Sequence, residues 1–135
     1  MHILPLRLPP GADLRQAVEH ALRAQSMQAG FVLQGIGSLS VAQLRHAGAA
    51  VPKALVGDLE ILTLAGSVGP DGAHLHMSVA NADGRVSGGH VAAGCIVRTT
   101  AELLLAVLPQ HAFRREHDPA TGYPELVISV RAGGS

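Results

Sequence analysis

The chain has 135 residues, in which ten lysines and arginines balance ten aspartates and glutamates, so it lacks the basic field that draws proteins onto nucleic acid or anionic lipid. Hydrophobic residues make up 47% of the sequence although few side chains are aromatic, which predicts an aliphatic core and, with a positive mean hydropathy, some apolar burial between subunits. The single cysteine, Cys95, excludes an internal disulfide, and the lack of a signal peptide or a run of about 18 apolar residues predicts one soluble, cytoplasmic domain, residues 1–135, without a membrane partner.

The N-terminal part predicts a strand followed by the one clear helix. "HILPLRL" is typical of a short strand, and Pro5 indicates an edge position because proline cannot donate a ladder hydrogen bond. From Ala12 to about Gln28, apolar residues recur at the spacing of one helical face. Gly30 is predicted to close this helix, as a C-terminal glycine commonly does.

The remainder of the chain predicts mainly strands. "FVLQGIGSLSVAQLRHA" indicates two strands joined at a bend, and "LEILTLAGSVG" indicates another strand before the turn "PDG". In "VSGGHVAAGCIVRTTAELLLAVL" periodicity leaves strand and helix open. "HAFRREHD" and "YPELVISV" predict a final hairpin, with Arg114 and Arg115 on a solvated strand face rather than in a phosphate clamp. The elements predict an α+β fold with a mostly antiparallel sheet and one main N-terminal helix.

The segment "DGAHLHMSVANADGRVSGGHV" carries three histidines in a pattern that permits metal binding. Aliphatic residues alternate with His74 and His76, so a strand would place both imidazoles on one face. Asp83-Gly84 is predicted to reverse the chain in a type I′ turn, and the Gly-Gly pair to aim His90 at the same place. Three histidines can hold Zn²⁺ and leave a fourth position for water or substrate. The alternative is a metal-free group of polar, partly exposed side chains with hydrogen bonds.

Three motifs, "GIGSLSVAQLR", "LEILTLAGSVGPDGAHLHMSVANADGRVSGGHV" and "GCIVRTTAELLL", closely resemble the plant-and-prokaryote conserved (PPC) domain family. The resemblance extends from "LRLPPGADL" to "ELVISV", nearly the whole chain. It implies a compact α+β domain that assembles as a homotrimer. It also implies that His74, His76 and His90 correspond to histidines of bacterial members where Zn²⁺ or another divalent metal is plausible.

The resemblance raises the question of DNA. In plants the domain lies beside AT-hook segments of nuclear proteins that bind AT-rich DNA, and stand-alone prokaryotic members are commonly labelled DNA-binding on similarity. The Gly-Arg-Pro core of an AT-hook, which inserts basic side chains into a narrow minor groove, does not occur in this sequence. Asn81 also stands where many bacterial relatives carry aspartate, which weakens any role for a carboxylate at that position.

Other residues permit both a chemical and a structural role. Cys95 could be a fourth, soft metal ligand, but a lone cysteine within the apolar run "AAGCIV" is more often a small buried hydrophobe, and burial is the prediction. Glu102 in "TTAELLL" could be a general base in apolar surroundings or a hydrogen-bond acceptor between subunits, and Glu60 carries the same two readings.

Two functional hypotheses follow. The first is a non-enzymatic homotrimeric PPC-domain protein that acts as an interaction or regulatory module with DNA association. The second is a metal-dependent enzyme or a small-molecule-binding protein whose three-histidine site lies at a subunit cleft. No sequence feature names the substrate or ligand.

Overall fold

A computed structural model of the chain describes residues 1–132. Within that range lie one α-helix and eight β-strands: β1 His2–Leu8, α1 Leu14–Ala24, β2 Gly30–Arg45, β3 Lys53–Gly69, β4 Gly72–Ala80, β5 Val86–Val91, β6 Ile96–Val107, β7 His111–Asp118 and β8 Tyr123–Val130. No helix in this part of the chain is long and apolar enough to cross a membrane.

Helix α1 is shorter than its periodicity predicts. Asp13 caps its N-terminus, where the carboxylate accepts a hydrogen bond from the backbone N–H of Gln16. The helix ends at Ala24, because Ser26 adopts a left-handed conformation with φ of 54°. The prediction that Gly30 closes the helix is therefore wrong, since Gly30 begins β2. The helix follows β1, in the order that the sequence predicts, and it buries Leu14, Val18 and Leu22.

Six strands form one sheet in the order β1-β6-β2-β3-β4-β5, with every pair antiparallel, and β7 and β8 form a separate two-stranded sheet. The mostly antiparallel α+β fold and the edge position of β1 are as predicted. The two strands predicted from "FVLQGIGSLSVAQLRHA" are a single strand, β2. Register shifts along its ladder with β6 absorb the bend without ending the strand.

The C-terminal end of β2 changes its neighbour. Along most of its length β2 pairs with β6, but Leu44 pairs with Val91 and Arg45 with His90, both in β5. Because β5 also pairs with β4, strands β2, β3, β4 and β5 close on themselves. This closure pairs residues that are 45 positions apart in the chain, Arg45 and His90, and 47 positions apart, Leu44 and Val91.

The segment "VSGGHVAAGCIVRTTAELLLAVL", for which the sequence permits either strand or helix, forms strands β5 and β6. In β6, Ala101, Leu103 and Leu105 are buried in alternation with exposed residues, which is the two-residue period of a strand. The core is aliphatic, as the composition predicts. Its largest fully buried side chains are Leu14, Leu22, Leu39, Leu44, Leu64, Leu75, Leu105, Val18, Val32, Val68, Val79 and Val91.

Gly66 in β3 permits the close approach of β4, and we expect Gly66→Ala to lower the free energy of unfolding by about 3 kcal/mol or more. Its φ is 152°, and a Cβ atom there would overlap the carbonyl oxygen of His74 and lie 2.8 Å from the Cα atom of Leu75. Gly57→Ala is the matched control, since Gly57 has a φ of 139° but no atom within 4 Å of an added Cβ. Urea unfolding of both variants measures the difference, and equal losses would contradict the role of backbone contact at Gly66.

Candidate metal centre

His74 and His76 lie on β4 with their side chains on the face opposite the core. Ala73, Leu75, Met77 and Val79 of this strand are buried, whereas both histidines are exposed. The alternation predicted from the sequence is therefore present. The imidazole rings are neighbours, with centroids 5.0 Å apart and planes at 82°.

His90 reaches the pair through strand pairing. It lies in β5 directly opposite His76 and also opposite Arg45 of β2. Gly88 and Gly89 were expected to turn the chain towards the other histidines, but they do not. Both lie inside β5, and neither has a positive φ. A Cβ atom on Gly89 would stand 2.8 Å from the carbonyl oxygen of Arg45, so this glycine lets β5 approach β2.

The turn between β4 and β5 differs from the predicted type I′ turn. A type I′ turn needs a positive φ at both central residues. Gly84 has a φ of 78°, but the φ of Asp83 is not positive. The side-chain oxygen of Asn81 instead accepts hydrogen bonds from the backbone N–H groups of Asp83 and Arg85, at 3.0 and 2.9 Å. Asn81 therefore organises the reversal that brings β5 back along β4.

The three imidazoles lie together in one cluster, although the sequence predicts ligand nitrogens within about 4 Å of one another, a closer spacing than the structure has. Each of His74, His76 and His90 offers a ligand nitrogen, and these atoms all lie within 4.8 Å of one another. The ring centroid of His90 lies 5.2 Å from that of His74 and 5.7 Å from that of His76. Ligands of a tetrahedral zinc ion stand about 3.3 Å apart, given bonds of about 2.0–2.1 Å. Binding would therefore require the imidazoles to draw together by small side-chain rotations.

The surroundings favour neutral imidazoles, the form that binds metal. Burial, followed by the charges of His74 and Arg45, lowers the pKa of His90 to about 4. Burial and the guanidinium of Arg115 also lower the pKa of His74. At neutral pH the imidazoles of His74 and His90 are consequently neutral, so each ring has a nitrogen lone pair available for a metal ion.

One ring nitrogen of the cluster lacks a partner. Within residues 1–132, Nδ1 of His90 is the one buried side-chain nitrogen or oxygen without a hydrogen bond. Burying such a polar atom unpaired is costly, and a bound ion or water is among the partners that account for such atoms in folded proteins. A cation bound through this atom would supply the missing partner.

Cys95 is not part of the cluster. Its side chain is fully buried, and its Sγ atom accepts a hydrogen bond from the backbone N–H of Gln43 at 3.2 Å. Burial raises the pKa of the thiol, so the thiolate needed for metal ligation is disfavoured. The prediction of a small buried hydrophobe is confirmed.

Glu60 and Glu102 also lie apart from the histidines. Both are exposed in the chain, and they line one shallow depression on either side of β2, together with Arg98. Their apolar neighbours in the sequence point to the opposite face, because adjacent strand residues alternate. Glu102 nevertheless borders a mainly apolar depression that includes Leu6, Ile36 and Leu104, so apolar side chains lie beside it although it is exposed.

The site contains three arginines that carry no motif signal. Arg15 of α1, Arg45 of β2 and Arg115 of β7 line an open cleft together with His74 and His90. Arg114 is exposed to solvent, as predicted, and pairs with Glu116 at 2.7 Å. Arg115 was predicted to be solvated as well, but its side chain is half-buried. These arginines come from three distant elements, so only the tertiary structure reveals their grouping.

The model of the Plants and Prokaryotes Conserved (PCC) domain matches residues 1–109. A protein described as bifunctional protein GlmU from Synechococcus sp. (strain JA-2-3B'a(2-13)) is 53% identical over 133 residues, or 98% of this chain. The chain spans 21% of the length of that curated relative.

Solved structures share the fold. A hypothetical protein from Salmonella enterica is 35% identical with a TM-score of 0.93, covering 96% of this chain and 94% of that one. A metal-containing protein from Archaeoglobus fulgidus is 28% identical with a TM-score of 0.79, covering 94% of each chain. A protein from Ralstonia eutropha JMP134, named as a candidate DNA-binding protein, is 25% identical with a TM-score of 0.76, covering 91% of this chain and 89% of that one.

Proposed function

Because this chain belongs to the Plants and Prokaryotes Conserved (PCC) domain family, we propose that it is a PCC-domain protein that binds a divalent metal through His74, His76 and His90 and presents it to a small molecule. The observation that carries the proposal is the convergence of the three ligand nitrogens within 4.8 Å. Three histidine ligands leave a fourth position of a zinc ion open to water or to a ligand oxygen.

Two further facts support the proposal. The unpaired Nδ1 atom of His90 needs a partner that the described residues do not supply. The similar protein from Archaeoglobus fulgidus is described as metal-containing.

Metal analysis of protein purified without a histidine tag tests the proposal. After removal of metals with a chelator and equilibrium dialysis against Zn²⁺, Co²⁺ or Mn²⁺, we expect one ion per chain for at least one of these metals. Bound metal should stabilise the folded state, so the midpoint of thermal unfolding should rise with metal concentration. Substoichiometric binding of all three metals, without a change in the midpoint, would contradict the metal site.

Self-association into a trimer is the second part of the proposal. Several large apolar side chains on β1, β2, β3 and β6 are exposed in the chain: Ile3, Phe31, Leu33, Ile36, Leu62 and Leu104. Exposed apolar surface of this extent is typical of an interface between subunits. Leu33 and His76 line the same depression, so an interface on this surface would border the histidine cluster. This arrangement supports a site at a subunit cleft.

DNA association has weaker support than metal binding. The similar Ralstonia eutropha protein is named as a candidate for DNA binding, whereas the balanced charges of this chain predict weak attraction to phosphates. A gel-shift titration with AT-rich and mixed duplexes at low salt decides the matter, and no shift at micromolar protein would remove DNA as a partner.

A further inference from the structure

The histidine cluster opens onto a cleft of about 830 Å³. Cavities of this size accept metabolite-sized ligands. His74 and His90 form part of its wall, and Arg15, Arg45 and Arg115 lie around them. A molecule that ligates a metal at the cluster would therefore meet guanidinium groups at the same time.

Strand pairing holds Arg45 beside the cluster. Arg45 of β2 is the direct cross-strand partner of His90, which places their Cβ atoms about 4.5–5.5 Å apart. Its Nη1 atom donates a hydrogen bond to the carbonyl oxygen of Ala49 at 3.3 Å. In the part of the chain that the structure describes, no carboxylate lies within 4.0 Å of this guanidinium, so most of its N–H donors remain available.

Arg115 is positioned from the other side of the cleft. Its Nη2 atom donates to the hydroxyl oxygen of Ser67 at 3.0 Å, and Ser67 is buried directly opposite His74 in the pairing of β3 with β4. The nearby carboxylate of Asp71 accepts from the backbone N–H of Arg115 at 2.7 Å. Among residues 1–132 this guanidinium also has no carboxylate within 4.0 Å.

The cleft wall also contains an arginine that is already paired and two acidic residues. Arg15 pairs with Glu19 at 3.7 Å, and the same carboxylate oxygen accepts from the backbone N–H of Ala73 at 2.9 Å, so this pair joins α1 to β4. Glu125 and Asp71 are the acidic residues of the cleft wall. The cleft wall therefore carries three arginines against two acidic residues.

We infer that the cleft binds a small anionic molecule, through a carboxylate or phosphate group whose oxygens contact the guanidinium groups of Arg45 and Arg115 while one oxygen takes the open position of the metal. The inference rests on the proposed metal site. Guanidinium groups match both anions, because their planar N–H donors form paired, charge-assisted hydrogen bonds with two oxygens. Arg115 lies beyond residues 1–109, the part of the chain that the family model matches, so this half of the subsite comes from the C-terminal hairpin.

Titration calorimetry of the metal-loaded protein tests the inference with inorganic phosphate and succinate as probes and with glycerol as a neutral comparison. The protein loaded with Co²⁺ adds a spectroscopic measurement, since an anion that ligates the metal changes its visible absorption. We expect phosphate or succinate, but not glycerol, to bind and to change the spectrum. Arg45→Gln and Arg115→Gln should each weaken the binding about tenfold or more through the loss of charge-assisted hydrogen bonds.

Arg85→Gln is the matched control, because Arg85 is exposed in the turn after β4 and lies outside the cleft wall. Arg115→Lys keeps the charge and should retain part of the affinity if Arg115→Gln impairs folding. One metal per chain in every variant, with weaker anion binding only in the Arg45 and Arg115 variants, supports the inference. Metal binding without anion binding, or equal anion affinities in all variants, overturns the anion subsite alone. Absence of metal binding to the unaltered protein overturns the proposed function, and the anion subsite falls with it.

Discussion

Replacement of His90 by alanine is expected to weaken zinc binding by roughly 3 kcal/mol, more than about a hundredfold in the dissociation constant. The variant loses one of the three proposed imidazole ligands, and the position of His90 depends on the closure of β5 onto β2. Competition with a fluorescent zinc chelator measures the affinity. The same variant should lose the zinc-dependent rise in the midpoint of thermal unfolding.

His20→Ala is the matched control, since it removes an exposed imidazole from α1, outside the cluster. Its zinc affinity should equal that of the unaltered protein. The metal-free His90→Ala protein should remain folded, because the substitution also removes a buried nitrogen that has no hydrogen-bond partner. Equal zinc affinity in the His90 and His20 variants would show that His90 is not a ligand.

Ile36→Lys is expected to convert a trimer into monomers at micromolar concentration. Ile36 lies on β2 and is 51% exposed in the chain, among the apolar side chains that we propose to form the subunit interface. A trimer would bury three copies of the new ammonium group together with Glu102, and the desolvation of such an ion pair can cost more than its attraction contributes. In the monomer the same group faces Glu102, the cross-strand partner of Ile36, so the fold itself should tolerate the change.

Sedimentation equilibrium of the unaltered and variant proteins measures the association. Val130→Lys is the control, because Val130 is an exposed apolar residue of a strand in the separate β7-β8 sheet. The control should sediment as the unaltered protein does. A monomeric unaltered protein, or an Ile36 variant that stays trimeric, would contradict the proposed interface.

The histidine pair illustrates what a local pattern can predict. The alternation in "HLHMSV" has a period of two, so the shared face of His74 and His76 follows from strand geometry alone. The convergence of His90 was also predicted, but for a reason that the structure corrects. Gly88 and Gly89 were expected to turn the chain, whereas His90 meets the pair because β4 and β5 are paired in register.

The sequence by itself determined the aliphatic core, the location of most strands along the chain, the edge position of β1 and the face that carries His74 and His76. These features depend on hydrophobic periodicity, on proline and on turn residues, all of which act within a few residues along the chain. Only the tertiary structure decided the closure of β2 onto β5 and the grouping of Arg45 and Arg115 around the histidines. Such contacts join residues that are far apart in the chain, and their formation depends on the free energy of the whole packed sheet. A pattern within a few neighbouring residues therefore cannot predict them.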